Sequence, residues 1–140
     1  MIDPDFRPDE TVEDMMERKI STDLRVVVIE PNGARRVEFV PRELNEQVRK
    51  MHDLVGGYLE AVRLIMSPPM IMWCNDDGHA LGLMPNAFAS LIAVAYTPVV
   101  LGTVVLSGDS DRNGDMTSLA NHWIDQLVPG YFDSEEDSNA

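Results

Sequence analysis

A pair of glycines, Gly56-Gly57, separates a helical pattern from a strand-like one and constrains the fold more than any other feature. Five residues before the pair recur at the spacing of one helical face: Leu44, Val48, Met51, His52 and Val55. Residues 58–66, directly after it, have the composition of a strand. Glycine adopts the left-handed cap conformation without a Cβ penalty. The sequence therefore predicts a helix that ends at Gly56 or Gly57 and leads straight into a strand.

Turn signals predict further strands on either side of this unit. Residues 24–30 are rich in β-branched side chains, and Pro31-Asn32-Gly33 precedes an alternating run at 34–40. Because Asn-Gly tolerates the positive φ of hairpin turns, these residues predict an N-terminal β-hairpin. Another strand is predicted at 70–75. The Asp77-Gly78 pair that follows it predicts a second tight hairpin.

The C-terminal half of the chain predicts two more helices and one central strand. Asn86 is a predicted cap for a helix at 87–95, and the very apolar run at 99–106 predicts a central strand. The last helix is predicted to start at the N-cap Asp115 and to end at Pro129-Gly130. Its apolar residues have helical spacing: Met116, Leu119, Ala120, Trp123, Ile124 and Leu127.

These elements together predict an α+β fold. We expect a single layered domain with a sheet of about five strands, including the N-terminal hairpin, packed by about three helices that lie mainly on one side.

Charge is concentrated at the two ends of the chain, whose formal net charge is −13. Residues 1–23 hold eight acids and three bases, residues 24–130 hold twelve and eight, and residues 131–140 hold four acids and no base. Acidic blocks of this kind are typically solvated. We therefore predict an acidic N-terminal segment at 1–23, partly helical or disordered, a folded domain at 24–130, and a disordered acidic tail at 131–140.

The same composition argues against several classes of partner. Direct nucleic-acid binding is not expected, because the chain has no basic patch for phosphates. No window is apolar enough to span a membrane, and the acidic start does not resemble a signal peptide. Cys74 is the only cysteine, so no internal disulfide can form. We predict a cytoplasmic protein, with a homodimer through the exposed edge of the first hairpin as an alternative to a monomer.

The segment 109–115 is the sharpest motif for a specific chemistry. It follows the first six positions of the calcium-loop pattern D-x-[DN]-x-[DN]-G, with Gly114 at the sixth position. The twelfth position, which should be a bidentate glutamate, is Ala120. A connecting loop before a helix explains the same residues, and no other cofactor is predicted. The candidate calcium ligands are Asp109, Asp111, Asn113 and Asp115.

The remaining polar residues predict no catalytic group. The three histidines lie far apart and at no metal-ligand spacing. Cys74 follows apolar residues in a predicted strand, where a small buried hydrophobe is a better interpretation than a nucleophile. Polar residues near the turns form a candidate ligand or partner site, although turn and cap roles explain several of them as well: Tyr58, Glu60, Asn75, Asp76 and Asn86.

Four short motifs, taken in order, resemble a family of short uncharacterised domains found mainly in bacteriophages, notably actinobacteriophages, and in plasmids. The motifs are Val55-Gly56-Gly57-Tyr58-Leu59-Glu60, Asn75-Asp76-Asp77-Gly78, Leu83-Met84-Pro85-Asn86-Ala87 and Val99-Val100-Leu101-Gly102-Thr103-Val104-Val105. The resemblance covers residues 24–107. It implies a phage or mobile-element origin and implies no activity.

Three functions remain open at this stage. The first is a non-catalytic accessory protein, encoded by a phage or mobile element, that binds and modulates a host protein. The second is an acidic DNA mimic of the anti-restriction type, which requires many carboxylates on one folded face. The third is a nucleotide-like small-molecule binder or enzyme, which requires a pocket that joins Tyr58, Glu60, Asn75 and Asn86.

Overall fold

The computed structural model describes residues 11–13 and 22–133. The predictions for the acidic segment at 1–23 and the acidic tail at 131–140 lie largely outside these residues. In chain order the elements are β1 (Leu24–Ile29), β2 (Arg35–Val40), α1 (Leu44–Val55), β3 (Leu59–Leu64), β4 (Met70–Asn75), α2 (Gly78–Leu81), α3 (Ala87–Ile92), β5 (Val104–Gly108) and α4 (Asn121–Leu127).

The strands form one antiparallel sheet in the order β2-β1-β5-β4-β3. The predicted N-terminal hairpin is confirmed, with Val27 opposite Val37. The last strand is central, as predicted, and all its residues are buried. It begins at Val104, because residues 99–103 form a loop. Leu101 in this loop forms an isolated antiparallel bridge with Pro85, outside the sheet.

Helices cover both faces of the sheet, whereas the sequence analysis placed them mainly on one side. On one face, α3 and α4 pack over the first core cluster, which includes Val27, Ile29, Met72, Val104, Leu106, Ala89 and Ile124. On the other face, α1 packs over a second cluster, formed by Leu24, Val26, Val28, Val40, Met51, Val55 and Val105. Strands β1, β4 and β5 are apolar at successive positions, so both of their faces require cover.

Helix α1 begins and ends as the sequence predicts. The Glu43 carboxylate accepts the first free backbone N–H groups of the helix. Gly56 ends the helix with φ 87°, and its N–H donates to the His52 carbonyl. Only the C-terminal half of the predicted apolar face is buried, because Leu44 is 67% exposed and Val48 is 42% exposed.

The predicted hairpin at Asp77-Gly78 is wrong. Strand β4 leads there into the single turn of α2, and its neighbours in the sheet are β3 and β5. Gly78 is not among the glycines with positive φ, which a tight hairpin turn would require. Instead the Asn75 side chain accepts the Asp77 N–H at 2.8 Å, which turns the chain toward α2.

The last helix is shorter than predicted, because residues 116–120 are extended. Gly108 N–H donates to the Thr117 carbonyl at 3.1 Å, and Leu119 N–H donates to a carbonyl of β1 at 2.8 Å. The segment therefore pairs with strand ends through backbone groups that a helix would have used. The prediction that Asp115 is the N-cap of this helix is wrong.

Gly108 provides a test of this extended crossing. A Cβ at Gly108 would overlap the Ser118 carbonyl oxygen and the Thr117 hydroxyl. We expect Gly108→Ala to lower the free energy of unfolding by about 3 kcal/mol in urea titrations, since a backbone must shift to make room. The control is Gly114→Ala, where nothing lies within 4 Å and only the positive φ opposes a side chain. Equal losses in the two variants would contradict the close packing of residues 116–120.

Candidate functional site

A pocket of about 200 Å³ opens where β4 ends. Its lining comes from β3, β4, α2 and the loop that precedes β5, and consists of Glu60, Val62, Cys74, Asn75, Asp76, Gly78, His79, Tyr96, Thr97, Val99, Val100 and Leu101. A second concave site, of about 580 Å³, lies beside Leu24 and the 111–118 loop.

The strand register explains the side of the pocket that belongs to the sheet. Glu60 and Cys74 are direct partners on neighbouring antiparallel strands. Val62 lies two residues beyond Glu60, so it belongs to the same face of the sheet. A carboxylate, a thiol and an apolar side chain are thereby held side by side at a fixed spacing.

Long-range hydrogen bonds hold the opposite wall. The Tyr96 hydroxyl accepts the Ile65 N–H at 3.0 Å, which ties the loop after α3 to the end of β3. The Ser90 hydroxyl accepts the Val100 N–H at 2.8 Å, which ties the same loop to α3. The first contact spans 31 residues of the sequence and the second spans 10, and together they hold the wall in place without a ligand.

Asn86, a predicted binding residue, supports this wall from behind and does not line the pocket. Its side chain is fully buried, and Nδ2 donates to the carbonyls of Ile29 at 3.1 Å and Gly102 at 3.0 Å. Its Oδ1 accepts the Ala89 N–H at 3.0 Å and caps α3. Its backbone N–H donates to the Val100 carbonyl at 2.8 Å. The predicted cap is confirmed, and every hydrogen-bonding group of the amide has a structural partner.

Asn75 lines the pocket and also holds two turns together. Its Oδ1 accepts the Asp77 N–H, which fixes the orientation of the amide, while Nδ2 has no hydrogen-bond partner among the described residues. Nδ2 lies against Gly57, where an added Cβ would be only 2.9 Å away. Nearby, Asp76 N–H donates to the Tyr58 carbonyl at 2.8 Å. The second glycine of the pair thus makes room for the Asn75 amide.

The structure brings together three of the five predicted binding residues. Glu60, Asn75 and Asp76 line the pocket, whereas Tyr58 and Asn86 do not. The Tyr58 ring is 70% exposed and lies edge-on to the ring of His52, with centroids 5.7 Å apart.

Sequence reasoning missed His79 and Tyr96, which also line the pocket. His79 directly follows the Asp77-Gly78 turn, and this position next to a predicted turn could have identified it as a candidate binding residue. Tyr96 offered none, because its place depends on a contact with Ile65 across 31 residues.

Cys74 and His79 line one pocket, so a nucleophile–base pair must be considered. An activated cysteine has a lowered pKa. Here burial, followed by the charge of Glu60, raises the pKa of the Cys74 thiol to about 11. The thiol is therefore protonated at neutral pH, and a small buried hydrophobe remains the better interpretation of Cys74.

The candidate calcium loop forms hydrogen bonds within itself and to β3. The Asp109 carboxylate accepts three contacts from the Arg63 guanidinium, the shortest at 2.6 Å, which lowers the pKa of Asp109. Asp111 Oδ1 accepts the N–H groups of Asn113 and Asp115. These contacts favour the interpretation as a connecting loop.

Two further observations concern metals and membranes. Within residues 11–13 and 22–133, no group of three or more histidine, cysteine, aspartate or glutamate side chains is placed to hold a metal ion. None of the helices described in those ranges combines the length and the apolar character needed to cross a membrane.

Comparison with known protein families gives one result. A family model described as "Domain of unknown function (DUF3846)" matches residues 24–131. The chain belongs to the DUF3846 family. The match continues beyond residue 107, where the motif resemblance ended, and therefore includes α4. Searches of curated proteins and of solved structures each found no significant match.

The motifs that suggested an uncharacterised family have structural roles in this DUF3846 domain. Gly57 and Asn75, from the first two motifs, are in contact. Asn86 and Gly102, from the last two, are joined by a hydrogen bond. These residues hold the loops around the pocket in place. The residues that remain as candidates for a functional role are therefore the exposed side chains of the loops.

Asn86 provides a test of this structural role. Asn86→Asp keeps the oxygen that caps α3 but replaces the group that donates to two buried carbonyls. We expect a loss of about 3 kcal/mol or more in the free energy of unfolding, measured in urea, since two acceptors lose their donor and face a carboxylate. The matched control is Asn32→Asp, because the Asn32 side chain is exposed and only accepts a hydrogen bond, from Ala34 N–H. A loss in Asn86→Asp as small as that in the control would contradict the structural role.

Proposed function

We propose that the protein is a non-catalytic binding protein, encoded by a phage or mobile element, that binds and modulates a host protein in the cytoplasm. The observation that carries this proposal is a concentration of exposed apolar side chains in the chain segment that connects β4 to β5. We call it the 81–99 surface, and it consists of Leu81, Met84, Leu91, Val94, Tyr96 and Val99. The phage and host parts of the proposal are supported by the motif resemblance alone.

Exposure of the 81–99 surface supports a role in protein binding. It contains six of the eleven large apolar side chains that are exposed in the described residues. Met84, Leu91 and Val94 are each about 70% exposed. Single apolar residues scattered over a surface are normal, whereas exposed apolar side chains concentrated in one segment of the chain support a role in binding.

The DNA-mimic alternative receives less support from the charges of the folded part. Glu38 forms ion pairs with Arg36 at 2.9 Å and with Lys50 at 3.6 Å. Asp109 forms an ion pair with Arg63 at 2.6 Å. Acids that alternate with bases do not form the continuous negative face that a mimic of phosphates requires.

The size of the pocket argues against a nucleotide ligand. Its volume of about 200 Å³ lies below the roughly 300–1,000 Å³ of sites that enclose drug-sized ligands. It also fails to join Tyr58 and Asn86 to Glu60, as the nucleotide hypothesis required. A ligand the size of one amino-acid side chain fits it better.

Two double variants test the binding proposal by affinity capture from a lysate of the host. Leu91→Ser/Val94→Ser removes apolar area from the 81–99 surface, whereas Leu44→Ser/Val48→Ser removes comparable exposed area from α1. We expect the full chain and the α1 variant to retain one stoichiometric protein. The 81–99 variant should lose at least about tenfold in affinity, because central apolar contacts dominate interface energies.

Unfolding curves of both variants provide the control, since exposed positions should leave stability within about 0.5 kcal/mol of the parent chain. Equal retention by the two variants would contradict the assignment to the 81–99 surface. Absence of any stoichiometric partner would contradict the binding function itself.

A further inference from the structure

Two acids in the lining of the pocket lack a lysine or arginine partner among the described residues. No lysine or arginine occurs between Arg63 and Arg112, the segment that supplies most of the pocket. Glu60 and Asp76 line the pocket, and their carboxylates form no ion pair or side-chain hydrogen bond with any residue that the structure describes. Glu38, the other acid within a strand, forms ion pairs with Arg36 and Lys50. The pocket therefore has unneutralised negative charge where other parts of the sheet do not.

We propose that this pocket receives an arginine side chain of the partner protein, an inference that rests on the binding function proposed above. The carboxylates of Glu60 and Asp76 supply the negative charge, and the adjoining 81–99 surface covers the apolar residues on either side of that arginine.

The walls of the pocket favour arginine over other basic groups. Val62, Val99 and Leu101 are apolar and suit the aliphatic stem of a long side chain. Tyr96 adds an aromatic ring whose position is fixed by its hydrogen bond to Ile65 N–H. A planar guanidinium stacks on aromatic rings and is more weakly hydrated than the ammonium of lysine, so it loses less on entering a partly apolar pocket.

Two residues connect the pocket with the 81–99 surface. Tyr96 and Val99 belong to that surface and also line the pocket. A partner that covers the apolar side chains would therefore place some of its residues at the pocket mouth. Arginine and aromatic residues are the types enriched at the energetic centre of such interfaces.

A metal ion is a weaker candidate for the same charge. The pocket's acids and His79 do not form a group of three or more ligands placed to hold a metal ion, in the portion of the chain that is described. An arginine needs no such convergence, because the five N–H donors of its planar guanidinium point in different directions within one plane.

The test uses small probes and amide NMR spectra of the full chain. N-acetyl-arginine methylamide is compared with the citrulline analogue, which has nearly the same shape without the charge, and with the lysine analogue. We expect arginine to shift the amides of Glu60, Asp76, His79 and Thr97. Citrulline should bind at least about tenfold more weakly, since the charge-assisted contacts are lost. The lysine analogue should be weaker than arginine.

Variants of matched charge locate the effect. Glu60→Gln/Asp76→Asn should abolish the arginine shifts. Asp53→Asn/Asp125→Asn, which also removes two charges, from exposed acids on α1 and α4, should leave the shifts unchanged. Shifts of equal size with citrulline, shifts spread over all surface acids, or no shift at the solubility limit would each overturn the proposal. Stronger binding by lysine would overturn the choice of arginine.

Failure here can be told apart from failure of the binding function. If Leu91→Ser/Val94→Ser loses the captured protein while the arginine probe leaves the pocket unchanged, the binding function stands and the arginine inference fails. If the probe binds in the pocket and no protein is captured, the proposed partner is absent, and both the binding function and the source assigned to the arginine are overturned.

Discussion

The buried amide of Asn86 is the contact on which the functional part of the fold depends. Its Nδ2 donates to carbonyls at the end of β1 and in the 99–103 loop, and its Oδ1 caps α3. One side chain therefore fixes the positions of a strand end, a loop and a helix. Because the amide is fully buried, each lost contact would leave a polar group without water. The wall of the pocket keeps its place through this arrangement.

The sheet itself imposes the second constraint. Since β1, β4 and β5 are apolar on both faces, α1 must cover one side while α3 and α4 cover the other. Beyond α3 the helices do not cover this face of the sheet completely. The pocket lies there, between the first half of β3, the end of β4 and the loop of residues 96–101. Because α3 is short and the sheet is wide, part of the sheet stays open. Unpaired carboxylates and apolar side chains line this opening.

Much of this fold could be predicted from local sequence patterns. The β-branched run of β1, the Asn-Gly turn and the Gly56 cap act through neighbouring residues, so the sequence alone identifies them. The start of α4 was missed because Leu119 is buried in the extended segment as well, and the apolar spacing cannot tell the two conformations apart.

The pocket could be predicted only in part. Glu60, Asn75 and Asp76 lie next to turns that the sequence reveals. Tyr96 and the 96–101 wall depend on contacts with Ile65, Ser90 and Asn86, which no local pattern encodes. Asn86 was expected to bind a ligand because asparagine near a turn suits both roles. Only the tertiary contacts show that its amide has a structural role.

The most direct test of the account is native-state hydrogen exchange of the amides that form the pocket wall. Ala89, Val100 and Gly102 donate to Asn86 Oδ1, Ser90 Oγ and the Met84 carbonyl, respectively. If the buried amide network holds the wall as part of the core, these amides should exchange with free energies within about 1 kcal/mol of those in β5. If these amides instead exchange through local opening, with a free energy several kcal/mol below that of β5, the segment moves independently of the sheet. That result would contradict a preformed pocket.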